Sequence, residues 1–448
     1  MAAFADRDLD GPTQLVVRVT PPMRRMALAL LGFVIAACTT PPGAAVPQAE
    51  PGTTYSFPAE FEPHTSIWLA WPTYENKAGH PTERVVEDIV RALHGHVSVD
   101  LLAQDEAEAG VIRERLAQDA VPSDHVRIHA MPHADIWLRD MGPIFVKTSG
   151  GGRAVVDYAY NAWGYPGFDR SSPMGLMEDA VDRNVAALRG LPVVRSSMSS
   201  EGGNRESNGA GTFMLTEQVE RQRNPGMSRA QIEAEFRRTL GAKAFVWLPQ
   251  GIAEDDATWE GPLPGGIYTP LTPGGHIDEY ARFADAHTIL LGEVTEEEAR
   301  ADVIHAMTRE RLERARAAIE ASVDQDGRPF RIVRVPMPEP LYDTLGPGDG
   351  VYESLKRMQY TSGVPFPKGS PVRIIVSTSY LNFLVTNGVV LVQVYSKEGR
   401  PSRVKEKDAA AQRILGEVFP GRKIVPIDAE AVNLGGGGIH CITQQEPR

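Results

Sequence analysis

Near its C-terminus the chain reads Gly435-Gly436-Gly437-Gly438-Ile439-His440-Cys441-Ile442-Thr443-Gln444-Gln445-Glu446-Pro447. Four glycines in a row carry a large entropic cost, so a fold keeps them where backbone must turn tightly or be closely approached. A cysteine just after such a turn can be presented in a pocket with backbone N–H groups nearby. The thiolate is the reactive form, and with a reference pKa of about 8.5 the thiol dominates near neutrality. Nucleophilic use of Cys441 therefore needs a lowered pKa or a substrate that brings positive charge. A small buried residue after a glycine turn explains an isolated cysteine equally well, so the rest of the chain must decide.

The 448 residues hold one other cysteine, Cys38. Arg24 and Arg25 precede an apolar run from Met26 to Ala37 that ends Ile35-Ala36-Ala37-Cys38. The run is too short to span a bilayer and fits a signal peptide. Its end resembles a bacterial lipoprotein signal, in which cleavage precedes a cysteine that carries the lipid. Thr39 after it resembles an outer-membrane sorting pattern. Residues 1–22 carry no export signal, which makes Met23 a candidate start.

Residues 1–38 are thus expected to be a signal peptide with Cys38 as the lipidation site. Residues 39–56, rich in Pro, Ala, Gly and Thr, read as a flexible tether. Residues 57–448 read as one folded domain. The expected location is the bacterial cell envelope, with a cytoplasmic protein carrying a hydrophobic extension as the alternative. In an exported chain an unpaired thiol is accidental, used between chains, or reactive.

The composition, 42% hydrophobic and 23% charged, is that of an ordinary globular protein. The net charge of -12 is spread along the chain. It disfavours nucleic acid and anionic membrane surfaces as partners and favours small cations, though a plain solubility surplus fits as well. Membrane contact is expected only through the lipid anchor, and the sequence leaves a homo-oligomer open.

Apolar stripes and runs predict helices over residues 84–93, 174–188, 228–240, 296–322 and 405–418. Strands are predicted over 97–103, 143–147, 154–160, 212–216, 244–248, 288–293, 330–335, 372–378, 382–386 and 389–395. The order is α/β, with several strand pairs meeting at Gly or Asn. Two stretches, residues 253–273 and 338–371, read as insertions, and long loops in compact domains are usually functional or disordered.

Three further motifs carry polar side chains beside glycine: Trp137-Leu138-Arg139-Asp140-Met141-Gly142-Pro143, Glu201-Gly202-Gly203-Asn204 and Gly274-Gly275-His276-Ile277-Asp278. His276 and Asp278 share a face if the backbone is extended, and a histidine there can serve as general acid and base. Metal binding by the pair fits less well, because no other His or Cys cluster supplies ligands at familiar spacing. Asp140 and Glu201 add carboxylates, the natural partners of a planar guanidinium fork. Trp137 can lie against a cation's face. Each alone has a structural reading: Asp140 paired with Arg139, Trp137 in the core.

Together with Asn161-Ala162-Trp163-Gly164 and residues 379–388 and 436–447, these motifs resemble the agmatine deiminases and the related bacterial-type peptidylarginine deiminases. The resemblance runs from about Phe57 to the C-terminus. It implies a pentein fold, a five-bladed α/β propeller of ββαβ-type units with pseudo-fivefold symmetry in a single domain. It also implies Cys441 as nucleophile, His276 as general acid/base, Asp140 and Asp278 as guanidinium-binding carboxylates, and Glu201 as a further acid beside His276. Trp137 and Trp163 join Asp140 and Asp278 as substrate contacts. No metal or organic cofactor is implied. The family commonly has Asn-Gly before His-Ile-Asp, whereas Gly274 stands here.

The implied reaction is hydrolytic deimination of agmatine to N-carbamoylputrescine and ammonia. The alternative substrates are peptidylarginine and free arginine, which would call for cationic residues to clamp a carboxylate. No paired arginines follow Asn161-Ala162-Trp163-Gly164, and Arg170 stands alone. A non-catalytic polyamine-binding lipoprotein and a metal-dependent amidohydrolase are readings of other classes.

Overall fold

Val389–Gln393 is a short apolar run buried along its whole length, as a strand covered on both faces must be. It pairs antiparallel with Leu384–Thr386 and, after the helix Ser402–Val418, parallel with Lys423–Ile427. The structure, a computed structural model, describes residues 52–72 and 79–448, and within them this unit recurs.

Ile144–Thr148, Arg153–Asp157 and Val193–Arg195 repeat it. So do Arg205–Ser207, Thr212–Thr216 and Ala244–Leu248, and then Ala281–Asp285, Thr288–Glu293 and Arg331–Pro336. In each, a hairpin is followed by a crossover helix and a parallel third strand; the helices are Val181–Arg189, Arg229–Leu240 and Val303–Glu320. A fifth copy is assembled from both ends of the chain. Gln444–Pro447 runs antiparallel to His64–Ala70, which leads through the helix Thr82–Leu93 to the parallel strand Ser98–Ala103. Val126–Ala130 extends that sheet. The result is a mixed α/β single domain.

The last pairing positions the site. Cys441 lies three residues before Gln444, so the ladder to His64–Ala70 fixes the nucleophile candidate against the N-terminal part of the fold. Further upstream, Tyr55–Ser56 already pairs with Lys147 and Thr148. Cys38 and Met23 lie outside the described residues. Among the described residues no helix is long and apolar enough to cross a membrane.

Three predicted strands, Thr212–Thr216, Ala244–Leu248 and Thr288–Glu293, occur with the predicted bounds. The helix expected over 296–322 is two helices, Glu296–Ala301 and Val303–Glu320. Asp302 explains the break: its extended backbone ends the first helix, and its side chain accepts from the N–H groups of Ile304 and His305. The segment 174–188 likewise divides into Pro173–Glu178 and Val181–Arg189. His276 and Asp278 do not share a strand. His276 is extended, but Ile277–Glu279 is a turn of 3-10 helix, so their common pocket arises from the turn and not from strand alternation.

The two stretches read as insertions pack on each other. Tyr268 and Leu271 from the first share an apolar cluster with Tyr352, Leu355 and Phe366 from the second. Thr361 N–H donates to Trp259 O at 2.8 Å, and Tyr342 Oη donates to Asp302 Oδ2 at 2.6 Å. Asp302 thus caps a helix and ties down the second segment. Asp302→Ala is expected to cost about 1–2 kcal/mol, measured as a lower urea midpoint with an unchanged slope.

Candidate active site

Each glycine of the final motif is walled in. A Cβ on Gly436, whose φ is +104°, would fall 2.5 Å from Leu271 O; one on Gly437 would fall 2.7 Å from the Trp137 ring and 3.0 Å from Cys441 Sγ. One on Gly438 would fall 2.5 Å from Asn382 Oδ1. The glycines therefore let three neighbours close on the turn that carries Cys441. Trp137 is buried as a wall of this turn.

Cys441 is buried, with Asn382 Nδ2 donating to Sγ at 3.0 Å. Asp278 Oδ2 stands 3.7 Å from the sulfur and Glu279 Oε1 3.8 Å from it. Burial, reinforced by the charges of Asp278, Glu279 and Asp140, pushes the thiol well above its ordinary value. Both effects favour the protonated thiol over the thiolate.

His276 lies between two carboxylates: Nδ1 is 3.7 Å from Asp140 Oδ2 and Nε2 is 3.5 Å from Glu201 Oε2. Burial alone would lower its pKa, but Asp140, Glu201 and Asp278 reverse that and raise it to about 9. The Glu201 carboxyl, despite burial, is held down to about 2, chiefly by Arg223, whose Nε donates to it at 2.8 Å, and by His276. Burial, partly opposed by His276, raises Asp140. Two N–H groups secure that carboxylate: Trp163 Nε1 donates to Oδ2 and Gly203 N to Oδ1, both at 2.8 Å.

Local backbone serves these contacts. Trp163 has φ of +56°, a left-handed conformation that costs a bulky residue on the order of 1–3 kcal/mol, and its indole N–H is thereby aimed at Asp140. At Gly203 a Cβ would fall 2.4 Å from His276 Nδ1, 3.0 Å from Asp140 Oδ1 and 3.1 Å from Asp278 Oδ2. Three groups from two other motifs converge on this glycine.

The structure thus brings Cys441, His276, Asp140, Asp278, Glu201, Trp137 and Trp163 into one buried neighbourhood. Arg139 does not pair with Asp140; it turns away to Glu60 at 2.7 Å. Several partners were not singled out in the sequence. Asn382 lies in the motif at 379–388 but without a role, and Glu279 simply follows Asp278. Arg223 has no motif around it. Asp255, in the first apparent insertion, accepts from the N–H groups of Gly275 at 3.0 Å and His276 at 2.7 Å. That stretch is therefore part of the support for His276. Buried oxygens Asp278 Oδ1, Glu201 Oε2 and Asp255 Oδ1 have no hydrogen-bond partner. Such atoms call for a ligand rich in N–H donors.

A family model for Porphyromonas-type peptidyl-arginine deiminases matches residues 56–447. The chain belongs to this family. Within it, the protein is 30% identical over 409 residues to the agmatine deiminase of Stutzerimonas stutzeri, covering 88% of this chain and 95% of that one. It is 29% identical to the agmatine deiminase of Medicago truncatula, covering 88% and 96%. The solved agmatine deiminase of Enterococcus faecalis shares the fold, with a TM-score of 0.69, 24% identity and coverage of 90% and 100%.

The electrostatics of His276 can be tested directly. In Glu201→Gln, with one facing charge removed, its titration followed by NMR is expected to move down from about 9. The sign follows from linkage: a raised histidine stabilises the fold fully below about pH 6.5 and loses that contribution as the pH rises through its folded value. The variant should therefore lose its share of stability at a lower pH than the parent.

Proposed function

We infer that the protein is a hydrolase of C–N bonds in a linear amidine, converting agmatine to N-carbamoylputrescine and ammonia. The observation that carries this is the buried thiol of Cys441 beside Asp278, whose Oδ1 has no hydrogen-bond partner, with an imidazole raised to about 9 in the same buried neighbourhood. A guanidinium supplies what such a site lacks: positive charge and five N–H donors in a plane. The curated relatives, agmatine deiminases at about this distance over most of their length, support the same reading.

In the proposed mechanism Asp140 and Asp278 hold the guanidinium fork, with Trp137 and Trp163 walling the pocket. The bound cation offsets the charges that hold the proton on Cys441; that proton leaves to solvent as the guanidinium binds, and Asn382 donates to the sulfur as it ionises. Sulfur attacks the central carbon, and one C–N bond breaks as His276 gives its proton to the departing nitrogen, which leaves as ammonia. The S-alkylthiouronium is then attacked by water that His276 deprotonates. The C–S bond breaks, the hydroxyl proton of the adduct passes to the departing sulfur, and the neutral ureido product leaves with the thiol restored. Glu201 keeps His276 charged for the first half, and Arg223 keeps Glu201 ionised. This route needs no metal or organic cofactor.

A second substrate class, peptidylarginine or free arginine, adds a carboxylate or amide carbonyl to the carbon that in agmatine bears only the amine. The arginines around the site are committed elsewhere: Arg223 to Glu201 and Pro273 O, Arg139 to Glu60, Arg282 to Glu206. Arg170 is exposed and faces Asp179 at 3.4 Å. These commitments favour agmatine.

Two proposals rest on other grounds. The five repeated strand units support a five-bladed propeller over residues 57–448, with the site at its centre. The sequence around Cys38 supports export and lipid attachment there, to be checked by labelling with a radioactive fatty acid that Cys38→Ala abolishes.

Ammonia release by purified protein is expected to be fastest with agmatine, against arginine and an arginine-containing peptide. Cys441→Ala should lower it by about 1000-fold or more while agmatine still binds. A protein that binds agmatine and releases no ammonia would be a polyamine-binding protein, and activity abolished by chelation and restored by metal would favour a metal-dependent amidohydrolase.

A further inference from the structure

Asp278 is fully buried, and its two oxygens differ. Oδ2 accepts from His440 Nδ1 at 2.7 Å and lies 3.7 Å from Cys441 Sγ. Oδ1 is buried without a hydrogen-bond partner. On the other edge of the imidazole, His440 Nε2 meets both oxygens of Glu60 at 2.9 Å. Glu60 is held in turn by Arg139 at 2.7 Å, Arg282 at 2.5 Å and the Gln445 side-chain amide at 3.0 Å.

The backbone of His440 is fixed as well. Its N–H donates to Asn382 Oδ1 at 2.9 Å and its carbonyl accepts from Arg139 Nε at 3.3 Å. Each nitrogen of the ring faces a carboxylate, Asp278 on one edge and Glu60 on the other. The ring cannot turn without breaking bonds on both edges.

We propose that His440, backed by Glu60, is a positioning residue that pins Oδ2 of Asp278 and so aims Oδ1, as an acceptor, at the bound guanidinium beside the thiol. This rests on the guanidine reading of the site. An unpinned carboxylate rotates about its terminal torsion, and a buried one without a partner takes up a proton and becomes a donor, useless to an N–H fork. Burial works in that direction at Asp278, and the hydrogen bond and charge of His440 overcome it, holding the carboxyl below its ordinary value. The logic is that of the partners that orient metal-binding histidines, applied to a cation made of N–H groups.

Two alkylating agents of nearly equal shape separate this role from a structural one. 2-Chloroacetamidine carries an amidinium, and chloroacetamide is its neutral counterpart. The native protein is expected to be alkylated at Cys441 faster by the amidine. His440→Gln should reduce that preference by about tenfold or more and raise KM for agmatine by more than it lowers kcat. His440→Asn, which returns an amide N–H near the Nδ1 position, should restore most of it. Glu60→Gln, which leaves the ring in place but weakens its backing, should show a smaller loss and carries the test if His440→Gln does not fold. An unchanged preference in folded His440→Gln or, where that variant does not fold, in Glu60→Gln would overturn the proposal, as would a loss that His440→Asn does not relieve. If the native protein itself shows no preference for the amidine, the guanidine reading fails instead.

Discussion

The site is organised by an imbalance of charge. Asp140, Glu201, Asp255, Asp278 and Glu279 are buried around the imidazole of His276 and the thiol of Cys441, and the guanidinium of Arg223 pairs with one of them, Glu201. The imbalance is expressed in opposite directions. Burial lifts Asp255 to about 8, while Arg223 and His276 hold Glu201 down to about 2. Carboxyls whose environments push them apart can take different roles within one pocket. A cation that arrives with N–H donors settles the imbalance and frees the thiol to ionise, so substrate and catalyst complete each other.

The fold makes that arrangement possible by bringing distant segments to one place. His276 and Asp278 sit at a turn leading into one hairpin unit, Asp140 just ahead of another, and Cys441 just ahead of a strand that pairs with the N-terminal strand His64–Ala70. Glycines at 203, 436, 437 and 438 remove the side chains that would otherwise stand between these elements. Strain at Trp163 and the support of Asp255 show the same economy: backbone is held in costly or buried conformations so that one side chain faces one partner.

The residues that the structure gathers around Cys441 were legible because each stands in a short motif with glycine, and their order along the chain carries the family resemblance. Their supports were less legible for identifiable reasons. Asn382 and Glu279 act through contacts that no local pattern announces. Asp255 lies in a stretch without periodicity, and its importance comes from two backbone N–H groups some twenty residues on. Gln444–Pro447 has no apolar alternation and becomes a strand because His64–Ala70 pairs with it, and strand propensity depends on such partners. Helices over 84–93, 228–240 and 405–418 were legible, whereas 174–188 and 296–322 each divide in two, the latter at Asp302, where a side chain competes for the N–H groups of the next turn. The helix Glu106–Gln118 was not expected.

The most direct measurement of the central claim, that a guanidinium completes the charge of this site, is calorimetric binding to Cys441→Ala, which cannot turn over. Agmatine is expected to bind and to raise the unfolding temperature, with a stabilisation of about 2.7 kcal/mol at one hundred times its Kd. Putrescine, a cation of similar length without the planar N–H fork, is expected to bind much more weakly. Equal binding of the two, or no binding of agmatine, would contradict it.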